Sequence, residues 1–158
     1  MSDEQRLFDG IRRNAEMLLV RGIEKARDEV IKVNKSRSQA GKRSDGADFS
    51  PYSERHKMRR SKEGLQTSRK DLRYSETLFE NLKETNRSWE GSVFTIIVSF
   101  DGQAARRADQ MSATNVEVAG WLSQQEDFNI IGVSSQDRQK INEIVAAEFT
   151  RENLMAGL

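Results

Sequence analysis

Few residues in this sequence combine the types and spacings that chemistry needs. There is one histidine and no cysteine, so thiol redox chemistry and cysteine-based zinc sites are closed. The histidine, His56, lies among Arg55, Lys57, Arg59 and Arg60, and neighbouring cations disfavour its protonation. A neutral imidazole is expected there, but no sequence partner marks it as a base. Gly41-Lys42 has the ending of a phosphate-binding loop. Ser36 stands where that motif needs its first glycine, however, and Arg43 stands where it needs Ser or Thr. Asp45 and Asp48 flank a glycine turn without the further oxygen ligands of a calcium loop, and read as turn formers. Glu80 and Glu84 fall one helical turn apart, the spacing of a solvated face. The expectation is a protein that is not an enzyme, with no cofactor and no metal.

Charge is the stronger signal. The net charge of +1 conceals segments of opposite sign. Residues 1–31 sum to −1, residues 32–73 to +8 and residues 74–158 to −6. Such a split suits nucleic-acid binding, or attraction between unlike faces of neighbouring copies. Arg55, Lys57, Arg59 and Arg60 are the candidate contacts to a partner or to DNA. Residues 32–73 contain Phe49 and Tyr52 near the middle, but no stacking series for single-stranded nucleic acid. A small nucleic-acid-binding module using residues 32–73 is the alternative reading.

The elements that must position these charges follow from periodicity. Phe8, Ile11, Ala15, Leu18, Leu19, Ile23, Ala26, Val30 and Val33 recur at three- and four-residue steps, predicting one helix over 3–35. At ~1.5 Å per residue it runs ~50 Å, longer than a small domain is wide. Ile11, Leu18 and Ile23 are candidate subunit-packing residues on its stripe. Gly22 is a weak point in it. Residues 36–70 read as a basic extended loop rich in Ser and Gly, holding Pro51 and a short helix from Ser53 to about Lys62 with Ser53 as its cap. Leu72, Leu78, Phe79 and Leu82 suggest another short helix over 71–84, with Ser75 as a cap.

The period then changes to two. Residues 92–100 form the strongest strand, with Phe94, Ile96, Val98 and Phe100 on the core face and Val93, Thr95, Ile97 and Ser99 on the other. Glu90-Gly91 turns it back on a partner near Thr85–Trp89. Ile97 is an apolar residue on the outer face, hence a further candidate for subunit packing. Residues 103–114 read as loop, and Val116, Ala119, Trp121 and Leu122 as a short helix or turn. Residues 128–133 read as a strand or extended edge. Ser134 caps a last helix carrying Ile141, Ile144, Val145 and Phe149, and residues 155–158 are expected to fray. The fold class is α+β in a single domain, 1–158, with residues 71–152 as the α+β core. A long N-terminal helix and basic loop precede an antiparallel hairpin or small sheet, with a C-terminal helix packed on it. No stretch is apolar enough to span a membrane, and the polar N-terminus lacks a signal-peptide core.

An ordered set of short phrases resembles the head–tail joining and tail-completion (virion morphogenesis, tail terminator-like) proteins of tailed bacteriophages. Gly46-Ala47-Asp48-Phe49-Ser50-Pro51-Tyr52-Ser53 is followed by Lys62-Glu63-Gly64-Leu65, then by Leu72-Arg73-Tyr74-Ser75-Glu76-Thr77-Leu78, where Glu76 replaces a glycine. Ile130-Ile131-Gly132-Val133-Ser134 precedes the last helix. The resemblance covers roughly residues 5–152, and the order and spacing of the phrases carry it. It implies a structural virion protein, made in the host cytoplasm and located at the head–tail junction. It further implies a six- or twelve-fold ring, partnered by a head connector or portal-side protein and a tail-tube protein, with DNA passing through the lumen.

Overall fold

The computed structural model describes residues 3–70, 77–104, 113–126 and 130–156. The expected cap Ser75, the Leu72-Arg73 phrase, residues 105–112 and Phe128 lie outside them, as does Leu158. The described chain is mixed helix and sheet, an α+β architecture. In chain order it forms α1 (Asp3–Gln39), α2 (Glu54–Lys62), α3 (Thr77–Glu80), β1 (Leu82–Glu90), β2 (Val93–Phe100), α4 (Asn115–Glu126), α5 (Ser135–Ala146) and α6 (Arg151–Met155). β1 and β2 make a two-stranded sheet.

α1 continues one turn past the expected end. Asp3 and Glu4 in its first turn and Arg37 in its last match the helix dipole. Its stop is Gly41, at φ 76°. Gly41 N–H donates to Ser38 O and Lys42 N–H to Arg37 O, each at 3.0 Å. That pair of bonds, closed by a left-handed glycine, satisfies carbonyls the helix leaves open. Gly41-Lys42 is thus a helix terminus, and Ser36 and Ser38 belong to the helix. Ser38 is buried.

The chain divides into two compact units. The first comprises residues 1–31, 84–98 and 135–158, and the second residues 32–83 and 99–134. In the first, α5 packs on α1 at Gly22, where an added Cβ would meet Val145 Cα at 3.2 Å. The residue expected to weaken the helix is its point of close approach. Lys140 pairs with Glu29 at 2.5 Å, and Glu148 accepts from Lys25. Thr150 caps α6, accepting from Asn153 N–H at 3.2 Å, and the helical turn ends at Met155, where the segment expected to fray begins.

The second unit holds most of the core. Leu78, Phe79, Leu82 and Phe100 are buried, and the Phe79 and Phe100 rings meet edge to face at 5.3 Å. α4 starts with a reciprocal cap: Thr114 Oγ1 accepts from Glu117 N–H at 3.2 Å, and Glu117 Oε2 accepts from Thr114 N–H at 2.8 Å. Those bonds hold the Glu117 carboxyl below its usual range, the backbone bond from Thr114 most of all.

Residues 130–134 are not a strand. Ile130 is buried, but the backbone of Gly132 is taken by side chains of α1. Asn34 Oδ1 accepts from Gly132 N–H at 3.0 Å, and Arg37 Nη2 donates to Gly132 O at 2.6 Å. Arg37 also donates to Asn34 Oδ1 at 3.0 Å. Asn34 is 1% exposed, so this polar contact is an interior one. Gly132 is needed for space, because a Cβ there would lie 2.6 Å from Ser44 Oγ.

Candidate assembly surfaces

The basic segment is more folded than its composition predicts. Its turn is built by Asp45, which accepts from Ala47 N–H at 3.0 Å, and by Arg43 N–H donating to Ala47 O at 2.8 Å. Asp45 is the turn former expected, whereas Asp48 stands in a bridge to Lys42. Ser53 caps α2 through His56 N–H, as expected. Phe49 and Tyr52 are buried. His56 stacks on Tyr52 with ring centroids 4.8 Å apart and planes 1° from parallel. Arg60 Cζ lies 4.6 Å from the same ring centroid, and Arg60 Nε donates to Gln66 O at 2.8 Å. Burial holds His56 below its ordinary pKa, with the charges of Arg59, Arg60 and Lys70 adding to it.

This geometry separates the four candidate cations. Arg55 and Arg59 are exposed. Lys57 is half-buried and paired with Glu54 at 2.7 Å. Arg60 is 1% exposed, so its assignment as a partner or DNA contact is corrected: its guanidinium is a packing element over Tyr52. The helical period of α2 turns one of the four cations inward, and composition alone did not show which. Lys42 and Arg43 are likewise engaged, with Asp48 at 2.6 Å and Asp45 at 2.9 Å.

The apolar candidates also separate. Leu18 is 2% exposed within its own chain, which corrects its assignment to subunit packing. Ile11 and Ile23 are half-buried. Ile97 is 47% exposed, as the strand alternation predicts. Along β2, Val93, Thr95 and Ile97 are exposed, Phe94, Ile96 and Val98 are half-buried, and Phe100 is buried. Phe8, which opens the periodic stripe, is exposed, as are Leu7 and Met17 on α1 and Trp89 at the hairpin end, which periodicity did not identify. Exposure of these depends on which other elements reach them, so the helical step alone could not find them.

All of these exposed apolar residues belong to the first unit. In the same unit a groove of about 730 Å³ is lined by Arg12, Ala15, Glu16 and Leu19 of α1, by Trp89, Gly91 and Ser92 of the hairpin end, and by Phe149. Trp89 and Phe94 make a tilted ring contact at 5.0 Å beside it. β1 is tied to α1 by charge: Arg87 pairs with Glu24 at 2.9 Å, and Glu84 pairs with Arg27 and Arg87, each at 2.5 Å. Hydrogen bonds from Arg87 and then Arg27 push the Glu84 carboxyl down to about 2. β2, by contrast, has eight residues with no charge and no proline. Strands that face solvent usually carry such protection, and a two-stranded sheet is marginal on its own in water.

Among the described residues no group of His, Cys, Asp or Glu is placed to hold a metal ion, and no helix is long and apolar enough to cross a membrane. No family model matches this chain, and no curated protein or solved structure matches it.

Proposed function

We propose that the protein is a structural, non-catalytic subunit that assembles with copies of itself into a six- or twelve-fold ring at the head–tail junction of a tailed bacteriophage virion. The observation that carries the self-assembly is the state of the first unit. Its buried apolar residues are Leu18 and Ala26, while Leu7, Phe8, Met17, Trp89, Val93, Ile97, Phe149 and Met155 are exposed. Burial is worth ~25 cal/mol per Å² of apolar surface, so this unit gains from covering that surface with a neighbour. The order of the phrases from Gly46 to Ser134 supplies the junction. In this reading the ring meets a head connector or portal-side protein on one side and a tail-tube protein on the other, and DNA passes through its lumen.

The engagement of Lys42, Arg43, Lys57 and Arg60 within the basic segment weighs against the alternative of a nucleic-acid-binding module. Arg55 and Arg59 remain as exposed contacts for a neighbouring protein. The test is electron microscopy of the purified protein, together with particles assembled in its absence. Rings, and separate heads and tails, are the expected results. Joined particles lacking this protein would remove the junction from its function.

A further inference from the structure

Residues 3–9, the first two turns of α1, are all exposed. Phe8, at 69%, is the most exposed large apolar side chain among the described residues. A helical end gains little from an aromatic residue in water, since most helical stability in proteins comes from packing of an apolar face. Phe8, Arg12, Ala15 and Leu19 follow at steps of four, three and four, so they share one face. Phe8 therefore continues, one turn earlier, the face of α1 that lines the groove.

We propose that this groove is the seat for Phe8 of a second copy of the chain, a contact that rests on the self-assembly reading above. On a continuous helix Phe8 stands ~6 Å before Arg12 and ~16 Å before Leu19 at ~1.5 Å per residue, so it lies at the near end of its own chain's groove and leaves the Leu19 end unfilled. The space suits an aromatic side chain with part of its helix, because an apolar cavity of ~150 Å³ already holds a benzene ring and this one measures about 730 Å³. Ala15, Leu19, Trp89 and Phe149 supply the apolar walls, and Gly91 adds no side chain to the opening. Charge agrees. The arriving helix end brings Asp3, Glu4 and Asp9 against one cation, Arg6, while Arg12, paired with Glu16 at 3.0 Å, lines the groove and Arg13 next to it in sequence is exposed. A protruding end and a receiving groove are different surfaces, so the contact can repeat from copy to copy and close a ring.

The natural absence of cysteine makes a clean test possible. Leu7→Cys protein, which keeps Phe8 and replaces an exposed neighbour, is mixed with Ser92→Cys protein under mild oxidation, so that the mixed disulfide joins two different chains. The contact predicts rapid formation of that heterodimer, abolished by dilution. In parallel, sedimentation compares the natural chain with Phe8→Ala. An anchor of this kind is expected to weaken association roughly thirty-fold or more when truncated, with a nearly unchanged melting profile at dilution because Phe8 is 69% exposed in its own chain. Full-strength association of Phe8→Ala, with no mixed disulfide, overturns the seat and leaves self-assembly standing. A natural chain that stays monomeric at every concentration overturns both. A closed two-fold dimer lost in Phe8→Ala supports the seat and overturns the ring.

Discussion

The two units of this chain handle apolar residues in opposite ways. The second buries Phe49, Tyr52, Leu78, Phe79, Leu82, Phe100, Ala119 and Ile130, and leaves Met58, Val116 and Trp121 exposed. The first buries Leu18 and Ala26 and exposes a far longer series. Charge runs the same way. The second unit folds its cations onto Tyr52 and onto its own aspartates, whereas the first uses Glu24, Arg27, Glu84 and Arg87 to fasten β1 to α1. A unit with its own core can fold on internal contacts. A unit that places tryptophan, phenylalanine and β-branched residues at its surface is shaped for contacts outside itself.

The comparison breaks most visibly at buried leucines. Leu78→Ala should cost about 2–5 kcal/mol in denaturant unfolding, since the side chain is 1% exposed and its removal leaves a cavity. Val93→Ala in the first unit should stay within about 0.5 kcal/mol for the dilute chain. Equal costs at the two sites would erase the distinction.

Next come the close contacts of the second unit. Gly132→Ala should cost about 1–3 kcal/mol by driving a Cβ into Ser44. Ser44→Gly in the same chain should recover most of the loss, a coupling that thermal unfolding of the double variant measures. Arg60→Ala should destabilise by a similar ~1–3 kcal/mol, because the guanidinium packs on Tyr52 and holds Gln66 O. A fully tolerated Arg60→Ala would return that residue to the candidate partner contacts.

The first unit should show an acid response. The Glu84 carboxyl is lowered from 4.5 to about 2 by Arg87 and Arg27. The unfolded chain binds the proton more tightly, so the stabilisation is complete above about pH 4.5 and is lost as pH falls toward 2. Glu84→Gln should flatten the unfolding midpoint across that window, and an unaltered profile would exclude the ion pairs as its source. The smallest effect belongs to Arg55→Gln combined with Arg59→Gln. Stability should change by under about 0.5 kcal/mol, since solvated charges contribute little. Loss of head-to-tail joining in assembly extracts would mark them as a protein contact.

The contrast between the units also explains what was legible in the sequence. Local signals were: the stripe of α1, the Ser53 cap, the alternation of β2 and the Glu90-Gly91 reversal each rest on neighbours in the chain. Ser36 and Ser38 resembled loop chemistry because the true stop lay at Gly41, whose left-handed φ ends the helix. Residues 128–133 resembled a strand because a run of apolar residues does not say what its backbone will bond. The groups that bind Gly132, Asn34 and Arg37, are about a hundred residues away in the chain. The groove needs elements from three separated segments. No spacing rule reaches that far.

Hydrogen exchange measured by mass spectrometry at rising protein concentration tests the division of labour most directly. Amides of residues 3–31 and 84–98 should gain protection as concentration increases, while those of residues 32–70 stay constant. Protection that is equal in both regions and independent of concentration would contradict the claim that the first unit is completed by other copies of the chain.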